Sequence, residues 1–288
     1  MAKKGRLDFL KMKKEGKKLT WVTAYDFPTA SFAQRAGIDM ILVGDSLGMV
    51  VYGYDGTIPV TIDECIIHCK AVRRGAPEVF VIGDMPFMSY QTSVADAICN
   101  AGRFLKESGM DAVKLEGGRR VIEKIKGIVD AGILVMGHIG LTPQSSGQLG
   151  GFKVQGRTAE SAEELIRDAI AIDEGSAFGL LLEAVPAELG KAIKEMLKIP
   201  VYGIGAGKHT DGQLLINGDM LGYFDAFTPK FVKKYANLAE IITTAFKEYV
   251  DDVHTGRFPG PEHGYTVLKR ERDAFNAVVE KYRRNRVV

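Results

Sequence analysis

Eight short apolar runs recur along the chain, and each is followed by a polar or glycine residue and then by a helix-like segment. Continuous apolar runs of this length are typical of strands that are buried on both faces, as in parallel sheets. Repeated strand–helix units in 288 residues predict a closed (β/α)8 barrel, with an open doubly wound sheet as the alternative. The eight runs are residues 21–25, 40–43, 79–82, 112–115, 133–136, 179–182, 201–204 and 214–216.

Helix signals lie between these runs. Residues 61–74 and 93–108 are predicted helices, and a glycine ends each of them. The segment Ser161-Ala-Glu-Glu164 has the pattern of a capping box, which predicts a helix that begins there and runs to Gly175. Pro186 is suited to the first turn of a further helix toward Leu197.

The last part of the chain predicts two more amphipathic helices, residues 231–249 and 268–282. The second has an apolar stripe that needs another surface to cover it, and we expect that surface to be a neighbouring subunit. No linker or low-complexity stretch divides the chain. We therefore expect a single domain over residues 1–288, with an N-terminal helical segment, a barrel over about 19–250 and a C-terminal helical extension over about 265–288.

Composition excludes several classes of protein. The net charge is +2, with basic residues concentrated at both ends, but neither end carries a nucleic-acid-binding motif, so we expect no nucleic-acid partner. No stretch approaches the roughly 18 uncharged apolar residues that span a bilayer, and the start lacks the apolar core of a secretory signal. Three cysteines make no disulfide framework. These features predict a cytoplasmic protein without a membrane partner.

Ionisable residues stand at the ends of five consecutive predicted strands. In a (β/α)8 barrel these strand ends surround one mouth, so we expect their side chains to converge there. Lys114 and Glu116 lie two residues apart on one strand and therefore share a face. The predicted site residues are Asp45, Ser46, Asp84, Lys114, Glu116, His138 and Glu183.

Several carboxylates in one mouth repel each other unless a positive charge lies among them. Oxygen ligands without a Cys/His cluster suit a hard ion such as Mg²⁺. We expect Asp45 and Asp84 to be direct ligands, Glu116 to bind directly or through water, and Glu183 to act as a base. The alternative is that these acids are ordinary strand-end residues that form salt bridges or cap the next helix.

Two further motifs are weaker. Cys65-x-x-His68-Cys69 resembles a metal trio, but it lies within a predicted helix without a fourth ligand, so we interpret it as packing. Gly203-Ile-Gly205-Ala-Gly207-Lys208 fails the P-loop pattern at both ends. We interpret it as a tight turn that lines the mouth. His138 could orient a substrate or be a core histidine, and we favour the site.

The sequence resembles the ketopantoate hydroxymethyltransferase family over about residues 19–263. Similar segments are Val43-Gly-Asp-Ser-Leu-Gly-Met49, Asp84-Met-Pro-Phe-Met88, Val113-Lys-Leu-Glu-Gly-Gly118 and Gly137-His-Ile-Gly-Leu-Thr-Pro-Gln144, with others at residues 23–26, 71–77, 151–157 and 203–207. The resemblance implies a TIM barrel of the phosphoenolpyruvate/pyruvate type. It also implies transfer of a hydroxymethyl group from 5,10-methylenetetrahydrofolate to 3-methyl-2-oxobutanoate through a Mg²⁺-stabilised enolate, which gives ketopantoate, the first step toward pantothenate.

The same resemblance implies roles for particular residues. Asp45 and Asp84 match the Mg²⁺ ligands, with Glu116 associated with the ion. Ser46 and Lys114 match residues that hold the oxo acid, and Glu183 matches the base. Family members are typically homodecamers, so we expect a homo-oligomer.

The chain departs from the family pattern at Asn217-Gly218, where relatives commonly have His-Asp, with Asp219 one place later. The contacts of the eighth strand are therefore open, and no family role transfers to residues after His263. The nearest alternative is a lyase or mutase of the same superfamily that acts on a phosphoenolpyruvate-like or methylmalate-like acid. Such lyases carry a Lys-Lys-Cys-Gly loop, whereas all three cysteines here precede the fourth strand. The pattern is also compatible with a non-catalytic metal-binding barrel and with an RNA-associated protein that has basic tails.

Overall fold

The computed structural model describes residues 3–284. The chain divides into two compact units, Met1–Ala236 and Asn237–Val288. Two units of this kind can belong to one folding domain, so the expectation of a single domain stays a prediction.

The first unit contains a closed barrel of parallel strands in sequence order, and the last strand pairs with the first. This confirms the predicted (β/α)8 class. The strands are β1 (Leu19–Thr23), β2 (Met40–Val43), β3 (Phe80–Asp84), β4 (Ala112–Glu116), β5 (Leu134–Gly140), β6 (Gly179–Glu183), β7 (Val201–Ile204) and β8 (Gly212–Leu215).

Helices lie between most of the strands, whereas β7 leads to β8 through a loop. The helices of this unit are α1 (Arg6–Lys14), α2 (Phe27–Arg35), α3 (Leu47–Val50), α4 (Ile62–Gly75), α5 (Val94–Ser108), α6 (Ile122–Asp130), α7 (Ser146–Leu149), α8 (Ala159–Glu174), α9 (Ala187–Met196) and α10 (Asn217–Leu221). Local chemistry sets their ends. Thr61 and Glu64 form a capping box at the start of α4, and Gly109, with φ +68°, ends α5.

The predicted helix start at Ser161 is wrong. Helix α8 begins two residues earlier, with Thr158 as its N-cap, and Thr158 Oγ1 accepts a hydrogen bond from the backbone N–H of Ser161 at 3.2 Å. Ser161 is the third helical residue, where its hydroxyl accepts a hydrogen bond from the backbone N–H of Thr158 at 3.0 Å. Two overlapping capping patterns were present in the sequence, and the upstream one forms.

The inward-facing residues of β3 and β4 change from apolar to charged along the strand. On β4, Ala112, Lys114 and Glu116 face inward, while the alternate residues pack against the surrounding helices. The inward residues are therefore apolar at the amino end and charged at the carboxyl end. β3 follows the same order with Phe80 and Asp84. This polarity places the ionisable groups at one mouth.

Aromatic side chains close the opposite end of the barrel. Phe9, from α1, lies with its ring 5.0 Å from the ring of Phe80 and 6.5 Å from that of Phe178. Trp21 and Tyr202 meet edge to face with a centroid separation of 5.6 Å. All five side chains are buried, so the barrel is a packed core at this end.

The second unit contains α11 (Leu238–Thr255) and α12 (Arg272–Arg284). The predicted helix 231–249 was wrong at its start, because Phe231 instead lines a cavity in the barrel unit. Phe275, Val278 and Tyr282 form an exposed apolar stripe on α12. Its cover by a neighbouring subunit stays a prediction.

Over residues 3–284, no helix combines the length and the apolar character that crossing a bilayer requires.

Candidate active site

A cavity of about 530 Å³ opens at the carboxyl ends of the strands. Its volume lies in the range of small-molecule sites. All of the residues that the strand-end pattern predicted line it: Asp45, Ser46, Asp84, Lys114, Glu116, His138 and Glu183. The predicted convergence of these side chains is therefore observed.

Lys114 lies at the centre of the charged groups. Its Nζ is 2.9 Å from Asp84 Oδ1, 3.3 Å from Glu116 Oε1 and 3.2 Å from His138 Nδ1. The side chain is buried, with 2% of its surface exposed. A buried ammonium group is stable only among opposite charges, and the alternation of β3 and β4 supplies them.

Burial of these groups changes their protonation. Burial alone would lower the pKa of Lys114, but Asp84 and Glu116 outweigh it and raise the pKa well above its usual range. Burial alone would raise the pKa of Glu116, but Lys114 and His138 lower it to about 2. Lys114 is therefore cationic and Glu116 anionic near neutral pH.

In contrast to Glu116, the two aspartates of the site have raised pKa values. Burial, and then the negative charges of Asp84 and Glu116, raise the pKa of Asp45 well above its usual range. Burial also raises the pKa of Asp84 against the opposing effect of Lys114. The backbone N–H of Asp45 donates to Asp84 Oδ2 at 3.0 Å, which fixes the two side chains beside each other. One more positive charge in this part of the cavity would stabilise the ionised forms of the two aspartates.

Gln144 connects the carboxylates, and the site prediction missed it. Its backbone N–H donates to Glu116 Oε2 at 3.0 Å, and its Nε2 donates to Asp45 Oδ2 at 2.8 Å. The hydroxyl of Tyr90 donates to Gln144 Oε1 at 2.6 Å. The signal for Gln144 was its place at the end of the Gly137–Gln144 family segment. Its contacts need the loop after β5 to fold back over the mouth.

His138 joins Lys114 to Glu183. His138 Nε2 is 3.2 Å from Glu183 Oε2, and His138 Nδ1 is 3.4 Å from Glu116 Oε1. Burial and Lys114 lower the pKa of His138, but hydrogen bonding to Glu116 and Glu183 outweighs them and raises it. The imidazole therefore lies within ion-pair distance of the Glu183 carboxylate at the edge of the cavity.

Ser46 and Thr57 supply hydroxyl groups on the β2 side. Ser46 Oγ lies 2.8 Å from the hydroxyl of Tyr25, where either can donate. Thr57 Oγ1 is buried at the cavity wall, without a hydrogen-bond partner among the described residues. No sequence pattern pointed to Thr57, because it lies in an irregular loop. A buried hydroxyl without a partner is suited to a ligand.

The two weaker motifs have structural roles. Cys65 and Cys69 are buried within α4, and the ring of His68 contacts the carbonyl of Tyr25 and the hydroxyl of Tyr52. This agrees with the packing interpretation. At the glycine-rich turn after β7, Ile204 lines the cavity, and Gly205 lies against the ring of Phe231.

The carboxylate oxygens of the site are of the kind that Mg²⁺ prefers as ligands. Asp45 is repelled by its acidic neighbours, so a cation beside it would stabilise its ionised form. Asp84 Oδ1 lies 2.9 Å from Lys114 Nζ, and Asp84 Oδ2 accepts from the backbone N–H of Asp45. Both Glu116 oxygens also face protein donors, and we expect Glu116 to contact the ion directly or through water.

Within residues 3–284, no group of three His, Cys, Asp or Glu side chains is arranged around a metal position. Lys114 lies among the acidic side chains and supplies part of the positive charge. The metal ligands therefore stay a prediction, with Asp45 and Asp84 as the pair expected from the sequence.

The fold and the site together place this chain in the class of (β/α)8 barrels with an ionisable pocket at the carboxyl ends of the strands, where barrel enzymes have their active sites. Similar solved structures share this fold. A phosphonopyruvate hydrolase bound to oxalate and Mg²⁺ has a TM-score of 0.59 at 12% identity, with 100% of this chain and 99% of that chain covered. A 2,3-dimethylmalate lyase has a TM-score of 0.58 at 14% identity, with 90% and 92% covered. At such identity the likeness shows the fold alone.

The family follows from sequence comparison. The sequence model of ketopantoate hydroxymethyltransferase matches residues 4–261. A 3-methyl-2-oxobutanoate hydroxymethyltransferase of Alkaliphilus metalliredigens is 64% identical over 94% of this chain and 96% of its own length. The protein of that name from Moorella thermoacetica is 57% identical over 88% and 94%. The chain belongs to the ketopantoate hydroxymethyltransferase family, which confirms the resemblance.

Proposed function

We propose that this enzyme transfers a hydroxymethyl group from 5,10-methylenetetrahydrofolate to 3-methyl-2-oxobutanoate and so forms ketopantoate, the first step of pantothenate synthesis. Family membership and the names of the relatives support the reaction. The observation that supports the chemistry is the position of Glu183, whose carboxylate lies 3.2 Å from His138 Nε2 at a cavity that also contains buried cationic and acidic groups.

The chain's own residues suit proton abstraction beside a ketone. Lys114 and Ser46 lie where they can hold the carboxylate and keto oxygens of the oxo acid. Glu183 removes the proton from the branched carbon, and His138 stabilises the carboxylate in the reactive orientation. Water opens the methylene bridge of the folate: one C–N bond breaks, its nitrogen gains a proton, and the carbon becomes a hydroxymethyl group on the other nitrogen. The enolate carbon then bonds to this hydroxymethyl carbon as the second C–N bond breaks. The proton that Glu183 took is returned to the released nitrogen, which gives tetrahydrofolate.

Asp45 and Asp84 would hold Mg²⁺, with Glu116 in indirect contact. When bound, the ion supplies positive charge beside the substrate oxygens, which favours the enolate. The hydrogen bond from the backbone N–H of Asp45 to Asp84 Oδ2 keeps the two residues beside each other, which supports this assignment.

The remaining parts of the proposal are the compartment and the assembly. We propose a cytoplasmic homodecamer, because the family resemblance implies one and because the apolar stripe of α12 needs a cover. The superfamily lyase or mutase is the alternative. Its support is the fold shared with the 2,3-dimethylmalate lyase, which specifies no substrate here.

The test measures enolisation of the oxo acid separately from transfer of the hydroxymethyl group. Wild-type protein with Mg²⁺ and without folate should exchange the hydrogen on the branched carbon of 3-methyl-2-oxobutanoate for deuterium, followed by NMR. Glu183→Gln should slow this exchange by about 100- to 10,000-fold, the usual contribution of a general base. The matched control is Glu188→Gln, which alters an exposed glutamate on α9.

Exchange by Glu183→Gln at the wild-type rate would overturn the assignment of the base. Wild-type protein that forms no ketopantoate when the folate is added, but cleaves a dimethylmalate-like acid, would favour the lyase.

A further inference from the structure

The residue after the proposed base, Ala184, has a strained backbone. Its φ is +46°, in the left-handed region that residues with a side chain rarely adopt. Met88 and Ser176 are the other residues besides glycine that have positive φ within residues 3–284, and neither lines the cavity, whereas Ala184 does. A glycine would adopt this conformation without strain, so the methyl group of Ala184 lowers the stability of the fold.

Hydrogen bonds on two sides impose this conformation. The backbone N–H of Ala184 donates to the carbonyl of Ile204 on β7 at 2.9 Å, and its carbonyl accepts from the backbone N–H of Gln155 at 2.9 Å. Glu183 is paired with Gly140 on β5, and a Cβ at Gly140 would lie 2.2 Å from the carbonyl oxygen of Glu183. The chain around the base therefore has little room to relax, which is the condition under which strained residues persist.

These contacts indicate which part of Ala184 meets the cavity. Both of its backbone polar groups are hydrogen-bonded to other parts of the protein, so the Cα and the methyl group remain to line the cavity. Glu183 is the adjacent residue, and its proposed role is to remove the proton from the branched carbon of the oxo acid. In the proposed reaction, that carbon is therefore beside Ala184.

We infer that Ala184 is a specificity-determining residue, whose methyl group limits the size of the alkyl substituents on the branched carbon of the oxo acid. The inference rests on the proposed function, and it adds the feature that selects among branched 2-oxo acids. It also accounts for a strained alanine where a glycine would be more stable, because the side chain that lowers stability provides the selectivity. Strain of this kind is concentrated at functional sites.

The experiment compares two substrates that differ by one methylene group. Wild-type protein with Mg²⁺ and without folate is given 3-methyl-2-oxobutanoate or racemic 3-methyl-2-oxopentanoate, and hydrogen–deuterium exchange at the branched carbon is followed by NMR. The ratio of the two kcat/KM values measures selectivity, and wild-type protein should favour the shorter acid. Ala184→Gly should reduce that ratio about 10-fold, because one methylene group in an apolar pocket changes selectivity by about 10- to 200-fold.

A larger residue at the same position tests the opposite direction. Asparagine tolerates the left-handed conformation better than most residues with a side chain, so Ala184→Asn adds bulk while the backbone keeps its path. This variant should raise the ratio above the wild-type value, because the longer acid loses more room than the shorter one.

The matched control is Ser176→Gly. Ser176 also has positive φ, at +62°, but it is exposed between α8 and β6 and lies outside the cavity lining. Both glycine variants should raise Tm by about 1–3 °C, because each relieves left-handed strain. Ser176→Gly should keep the wild-type selectivity ratio.

Wild-type ratios in both Ala184 variants, or an equal change of the ratio in Ser176→Gly and Ala184→Gly, would overturn the inference. The proposed reaction would stand in that case, because exchange by the wild type and ketopantoate formation are measured independently. Wild-type protein that exchanges neither acid would overturn the proposed function and this inference together.

Discussion

The two ends of the barrel interior are built from the same strands and stabilised in opposite ways. At the amino end, Phe9, Phe80 and Phe178 interlock, and their burial contributes free energy directly. At the carboxyl end, Lys114 and Glu116 are buried charges, whose removal from water costs free energy that their ion pairs and hydrogen bonds offset. The amino end can tolerate changes that keep its volume, whereas the carboxyl end depends on every partner.

This difference is typical of barrel enzymes, in which the two ends of the barrel have different roles. The amino end stabilises the fold, whereas the carboxyl end contains buried charged groups whose desolvation costs free energy. Substitutions at the two ends should therefore differ in which property they change.

The largest expected effect is that of Lys114→Met at the charged end. Removal of the ammonium group leaves Asp84 and Glu116 buried without their counter-charge, which should lower the free energy of unfolding by about 3–5 kcal/mol and abolish turnover. Urea unfolding and a ketopantoate assay measure the two effects. The matched variant Lys126→Met breaks an exposed pair with Glu123 and should change stability by less than about 1 kcal/mol. If Lys114→Met is as stable as wild type, the account of the charged floor is wrong.

At the aromatic end, Phe80→Ala should cost about 3–5 kcal/mol of stability through the cavity it leaves among Phe9 and Phe178. The kcat of the folded fraction should stay at the wild-type value, because Phe80 lies at the opposite end of β3 from Asp84. Urea unfolding and kcat measured below the unfolding transition test both statements. Phe80→Leu is the control and should lose less stability. A kcat that falls in step with stability would show that the two ends are not independent.

The smallest effect concerns pH. Asp219 lines the cavity and is 4% exposed, and burial raises its pKa to about 6 against a smaller opposing effect of Lys234. An unfolded chain has an aspartate pKa of about 4, so the folded state binds this proton more tightly. The contribution of Asp219 to stability is therefore complete below about pH 4 and is lost as pH rises to about 6.

Asp219→Asn removes this dependence. The stability of the variant relative to wild type should rise between about pH 4 and pH 6 and be constant above that. Urea midpoints across this range measure it, and Asp225→Asn, an exposed aspartate, should follow the wild-type curve. Parallel curves for Asp219→Asn and wild type would contradict the raised pKa.

Much of the fold could be predicted from local sequence. The buried strands appear as apolar runs because each contacts the core on both faces, and helix α4 begins where Thr61 and Glu64 satisfy the free backbone N–H groups. Errors occurred where local signals compete or where tertiary contacts decide. Ser161 follows a second possible cap at Thr158, and Phe231 is drawn to the cavity wall instead of to a helix.

The candidate site also contains residues that the sequence could predict and residues that it could not. Asp45, Asp84 and Glu183 stand at strand ends in the sequence, and the parallel barrel places such ends together, so their convergence was predictable. The contacts of Gln144 and Thr57 could not be predicted from strand ends, because both residues lie in connections after strands, and the path of these connections depends on long-range contacts.

The order of residues along the chain thus determined the barrel, the family and the ionisable groups of the mouth, because strand alternation and parallel topology leave little freedom for where strand-end side chains lie. Only the tertiary structure decided that Lys114 lies among the carboxylates and that His138 Nε2 lies 3.2 Å from Glu183. These features depend on distances between residues far apart in sequence. Such distances are set by the packing of the whole barrel and by no local pattern.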